Sequence, residues 1–72
     1  MPPNLPHISG PAAIRAHQNL GFIHVRQKGS HVILRRGAAG CVVPKYEEIK
    51  IGALSGVLKQ AGVSLDEFMA VL

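Results

Sequence analysis

The pair Gly29-Ser30 stands between two runs rich in β-branched residues, 22–28 and 31–36, and this feature decides most of what the middle of the chain can become. A two-residue link with glycine first suits a tight β-hairpin turn, because glycine adopts the positive φ that such a turn needs without a steric penalty. The turn then sets the register. Lys28 faces His31, Gln27 faces Val32, Arg26 faces Ile33, Val25 faces Leu34 and His24 faces Arg35. Side chains alternate across a strand, so Ile23, Val25, Val32 and Leu34 share one face, while His24, Arg26, Lys28, His31 and Arg35 share the other. Ile33 alone falls among the charges. A slip of one residue would turn the arginines toward the core, so the pattern itself opposes it.

The flanking segments supply layers to cover the apolar face. Ser9 or Gly10 can cap a helix with Pro11 in its first turn, and Ala13, Ile14, His17 and Leu20 form one stripe that ends at Gly21, a natural left-handed stop. After the hairpin, "RRGAAG" is a glycine-containing link, and Cys41, Val42 and Val43 form a short third strand ended by Pro44. "KYEEIKIG" reads as a solvated connection. From Ile51 onward, Leu54, Val57, Leu58 and Ala61 recur at helical spacing up to Gly62, as the core stripe of a packed helix. Ser64 and Glu67 then make a capping box for a last short helix that buries Leu65, Phe68 and Leu72. The expected fold is α+β: helix, three-stranded antiparallel sheet, helix, short C-terminal helix, with one sheet face left open. The proline-rich start, residues 1–8, reads as a flexible leader, and residues 9–72 as a single domain.

A chain of 72 residues has a thin core and little room for an engulfing cavity. Binding then relies on charge and shape at an open surface, which favours a polymer or another protein as partner. The charge is one-sided: Arg15, Arg26, Lys28, Arg35 and Arg36 precede residue 45 with no acid among them, giving +5, and the remainder carries −1. Such a basic field attracts nucleic acid, although a solvated basic face that keeps the protein soluble looks the same. The single cysteine, Cys41, allows no intramolecular disulfide or Cys-based zinc site and fits a cytoplasmic setting, where it packs as a small apolar residue. No stretch is long and apolar enough to span a membrane, and the start lacks a secretion-signal pattern.

His31, beside the turn and opposite Lys28, is the candidate for chemistry. A neutral imidazole can accept a proton. With Lys28 and Arg35 to steady charge on a phosphorane, the parts suit attack by a 2′-hydroxyl on an RNA backbone with His31 as general base. The plain alternative is a turn-flanking histidine that hydrogen-bonds a backbone group. His24, on the same expected face, either binds phosphate or is simply solvated. His17 is expected half-buried against the sheet, and His7 belongs to the leader. No histidine pair has metal-ligand spacing, so neither a metal nor any other cofactor is expected.

The stretches "GFIHVRQKGSHVILRR", "VVP" and "IKIGALSGVLKQAGVSLDEF", in this order and at these spacings, resemble the HicA toxins, the small messenger-RNA-cleaving partners of HicB antitoxins. The resemblance runs from about Ser9 to Phe68. It implies a fold like a double-stranded-RNA-binding domain and a metal-independent ribonuclease with messenger RNA and a HicB-like antitoxin as partners. The family's catalytic histidine falls on His31, with Gly29 and Ser30 as the turn that positions it and Lys28 as the basic residue before it. Arg26, Arg35 and His24 are the further RNA-binding candidates. Two positions depart from the family. A second histidine is common shortly after the Val-Pro, where this chain has Lys45 and Tyr46, which become possible auxiliary groups. His17 stands where the family usually has leucine. The alternative reading is a non-catalytic RNA-binding module that uses the same basic face.

Overall fold

The computed structural model describes residues 8–72. Helix α1 (Gly10–Asn19) is followed by strands β1 (Ile23–Lys28), β2 (His31–Arg36) and β3 (Ala39–Pro44), then helices α2 (Ile51–Ala61) and α3 (Leu65–Ala70). The sheet is antiparallel in the order β1-β2-β3. The expected α+β order is therefore present, and it is compatible with a double-stranded-RNA-binding-domain-like fold.

Local chemistry accounts for the element ends. The Ser9 hydroxyl accepts from the Ala12 N–H at 3.1 Å and starts α1. Gly21, at φ +95°, stops it, and Gly62, at φ +69°, stops α2. Ser64 and Glu67 form the reciprocal capping box of α3. Both hairpins use two-residue turns with glycine first: Gly29 and Gly37 each sit at φ +60°, and no described non-glycine residue has positive φ. The second turn is tighter than the sequence suggests. Arg36 pairs with Ala39, so β3 begins two residues before Cys41. Ala39 and Gly40 have little strand preference of their own, and the turn imposes their register.

The core forms between the helices and one sheet face. Val32, Leu34, Cys41 and Val43 meet Ala13, Ile14 and Ala16 of α1, Leu54, Val57, Leu58 and Ala61 of α2, and Phe68 of α3. The stripe expected for α2 is buried throughout. For α3 the expectation holds only at Phe68: Leu65 is 39 % and Leu72 49 % exposed, because a helix of six residues reaches the core with a single side chain. His17 is fully buried rather than half-buried.

Ile8 and Ile49 also differ from the sequence reading. They form an isolated β-bridge, and both are buried. The packed domain thus includes Ile8, the last residue of the expected leader, and the polar "KYEEIKIG" connection contributes a core residue. The rest of that leader, His7 included, lies outside the described residues. At the far edge of the sheet the Val42 N–H donates to Gln60 Oε1 of α2 at 3.3 Å.

Candidate RNA-facing site

The site is built on the Gly29-Ser30 turn. Nothing lies within 4 Å of where a Gly29 Cβ would sit, so glycine is required there for its φ of +60° rather than for space. The Ser30 carbonyl accepts from the Lys45 N–H at 2.6 Å, which ties the turn to the segment leaving β3. His31 consequently opens β2 between two neighbours, with Lys28 as its register partner on β1 and Pro44 on β3. The Tyr46 ring stands edge-on to the His31 ring, 6.2 Å between centroids and inclined 73°.

The start of α1 closes the same corner. The Gly10 N–H donates to the Tyr46 carbonyl at 2.7 Å. A Cβ on Gly10 would collide with the Pro44 carbonyl oxygen and come within 2.6 Å of Lys45 Cα. Only glycine permits this approach, so the backbone that carries Lys45 and Tyr46 is held against both α1 and the turn.

Pleating sorts the remaining candidates. Val32 and Leu34 are buried, so the alternate residues His31, Ile33 and Arg35 leave β2 on the side away from the helices. Opposite residues in an antiparallel pair share a face, which brings Lys28 and Arg26 to that side through their pairing with His31 and Ile33. Lys28, Arg26 and His31 therefore cluster. Arg35 is four residues along β2 from His31, about 13 Å at the usual strand rise, with the Arg26–Ile33 pair between them.

His24 is where the register departs from expectation. The pairing runs as anticipated from Lys28 to Arg26 and then slips: His24 faces Leu34 and Ile23 faces Arg35, with a bulge between His24 and Arg26. The extra residue, Val25, turns the rest of β1 over. Ile23 moves to the basic face, where it is 69 % exposed, and His24 moves to the helix side. There His24 meets Arg15 of α1 and Gln27 of β1, neither of them among the RNA-binding residues expected from the sequence, along a groove that Lys45 also lines. For Gln27 the signal was available, since its pairing with Val32 already assigns it to the helix side.

Two other groups have structural roles. Arg36, one step beyond Arg35, points to the helix side; its guanidinium lies 4.7 Å from the Phe22 ring centroid and donates to the Leu20 carbonyl at 2.8 Å. The buried Cys41 thiol is pushed up to about 11 by burial, which removes it as a nucleophile. Among the described residues no group of three or more His, Cys, Asp or Glu side chains is arranged to hold a metal ion, and no helix is long and apolar enough to cross a membrane.

An exposed imidazole beside a lysine, on a rigid turn and a basic sheet face, is an arrangement able to move a proton next to a phosphate. A comparison with curated proteins finds no match. A family model described as the HicA toxin of bacterial toxin-antitoxin systems matches residues 11–63. That span contains both hairpins, α2 and every described candidate above, and it covers well over half of the chain, which belongs to the HicA toxin family.

Proposed function

We propose that this HicA-family toxin is a ribonuclease that cleaves messenger RNA with His31 as general base. The observation that carries the reading is the exposed His31 on the Gly29-Ser30 turn, with Lys28 as its register neighbour and Tyr46 edge-on to its ring. Imidazole is the side chain best suited to accept a proton near neutral pH. His31 takes the proton of a ribose 2′-hydroxyl; O2′ attacks the adjacent phosphorus, and the P–O5′ bond breaks. The products are a 2′,3′-cyclic phosphate and a 5′-hydroxyl, whose proton comes from Tyr46 or water. Lys28 stabilises the charge that builds on the phosphoryl oxygens, and Arg26 and Arg35 hold phosphates further along the strand. No metal enters these steps. The apolar residues Ile23, Val25 and Val42, exposed around the cationic face, suit a protein partner as well, and a HicB-like antitoxin in the cytoplasm would silence the toxin by covering it.

The test is growth arrest together with cleavage of a defined RNA. Wild type should yield 2′,3′-cyclic ends, a single 2′-deoxy substitution at the cut should block cleavage, and His31→Ala should abolish both arrest and cleavage. A His31→Ala variant that cleaves at the wild-type rate overturns the assignment.

One observation favours a second reading, a non-catalytic RNA-binding module. His17 is buried and His24 lies across the sheet, so no other described imidazole accompanies His31. That reading expects salt-dependent RNA binding without cleavage, retained in His31→Ala and weakened in Arg35→Ala.

A further inference from the structure

The groove on the helix side of the hairpin has a distinct chemistry from the face that carries His31. It encloses about 240 Å³. Its floor is Ile14 of α1 and Val32 of β2, and its polar rim is Arg15, His24, Gln27 and Lys45. It exists because the helices do not cover β1: every residue of that strand is exposed, including those turned toward the helix side. The bulge at Val25 completes it, since regular pairing would have left His24 on the opposite face.

The residues point to a ligand class. Two cations at one rim suit a phosphate. The apolar floor suits a flat base or a sugar, and an amide and an imidazole can each donate and accept hydrogen bonds, as base edges and ribose hydroxyls require. The volume falls just below the roughly 300 Å³ at which sites for drug-sized ligands begin, which fits a single nucleotide. No acid occurs before Glu47, so all four rim residues come from acid-free sequence.

The groove is also placed to work with His31. Val32 on its floor directly follows His31, and Lys45 on its rim donates its N–H to Ser30 within the turn. A strand passing around the turn end of the hairpin meets both faces.

We infer that this groove is a second RNA subsite, which holds one nucleotide flanking the one that meets His31, its phosphate between Arg15 and Lys45 and its base or sugar against Gln27 and His24. This assignment rests on RNA being the ligand of the proposed function but not on its cleavage, and the two can fail separately. The experiment uses an uncleavable 2′-O-methyl oligonucleotide, titrated against the full chain at several salt concentrations. Arg15→Ala and Gln27→Ala should each weaken binding three- to tenfold, and Arg15→Ala should also reduce the salt slope by about 0.7, the value for one phosphate contact to a single strand. In amide NMR spectra a nucleoside monophosphate should shift His24, Gln27 and Val32 in wild type and leave them in place in Arg15→Ala. If the ribonuclease reading is also right, Arg15→Ala raises KM for cleavage more than it lowers kcat. Arg15-dependent binding without any cleavage keeps the subsite and sinks the ribonuclease. Unchanged affinity and salt slope in both variants overturns the subsite. So does equal Arg15-dependent binding of polyglutamate, which would make the groove an unselective anion patch. A wild type without RNA affinity overturns both.

Discussion

Replacing His17 with leucine should make the protein more stable, and by an amount that depends on pH. The His17 ring is fully buried between Phe22 and Phe68, with centroids 5.3 and 5.6 Å away. Its Nδ1 lies 2.7 Å from the Ala13 carbonyl and donates to it, which leaves Nε2 as an acceptor with no partner. A buried unsatisfied polar atom costs about 1–3 kcal/mol, and the hydrogen bond returned by Nδ1 contributes about 1 kcal/mol. The Ala13 carbonyl also keeps its helical backbone donor when the ring is removed. Leucine has a similar size and a slightly better helix propensity, while the loss of the two ring contacts offsets part of the gain. The net expectation at pH 7.5 is a stabilisation of about 1 kcal/mol, or roughly 4–8 °C in Tm for a domain of this size.

Lower pH should widen the difference. Burial holds the His17 pKa below its ordinary 6.5; the Ala13 hydrogen bond opposes this shift and the positive charge of Arg36 adds to it. In the unfolded chain the same imidazole takes up its proton near 6.5. Below that pH the unfolded state binds more protons, so wild-type stability falls as pH drops, by up to about 1.4 kcal/mol per unit, until the folded-state pKa is passed. Above 6.5 both states are neutral and this contribution vanishes. The leucine variant lacks it altogether, so its advantage should grow as the pH falls below 6.5. Urea midpoints of the two proteins in parallel, from pH 5 to 8, measure the difference, and the exposed histidines common to both largely cancel. A difference that stays flat across this range, or a leucine variant less stable at pH 7.5, refutes the reasoning.

Gly10→Ala should destabilise by about 2 kcal/mol or more, the scale of overpacking, because its methyl meets the backbone of Pro44 and Lys45; thermal melts read this directly. Arg36→Ala should lower stability by about 1–2 kcal/mol through its contacts with Phe22 and the Leu20 carbonyl. Arg35→Ala should stay within about 0.5 kcal/mol of wild type and weaken RNA binding instead, and denaturant midpoints paired with binding titrations separate the two arginines. Tyr46→His should raise the single-turnover cleavage rate at least about tenfold by adding an imidazole acid beside His31, general acids typically contributing 10²–10⁴; an unchanged rate argues against Tyr46 facing the leaving group.

Much of this fold was legible where a single residue type enforces a conformation. Gly21, Gly29 and Gly62 end or turn the chain at positive φ, and Ser9 and Ser64 cap helices, so their consequences are local and visible in sequence. The bulge at Val25 has no such mark. It arises where β1 passes from the turn-enforced register to its exit toward Phe22, and valine is compatible with either pairing. One inserted residue reverses the faces of Ile23 and His24, so the turn-set register holds for His31 and Lys28 and fails at His24. The Ile8–Ile49 bridge was invisible for another reason: it joins residues 41 positions apart, and neither flanking segment has a repeating pattern. At the site, the turn predicted the neighbours of His31. The groove was not predictable, because it depends on which strand the helices leave uncovered.

The contact between Val42 and Gln60 limits how the sheet can grow. Outward donors on β3 alternate through Gly40, Val42 and Pro44; Gln60 occupies the middle one and proline has no N–H at the last. A strand from another molecule therefore finds a usable ladder only along β1. A sheet with one receptive margin can join one other and then has nowhere left to add, so strand exchange between toxin molecules would terminate at pairs rather than run on into fibres.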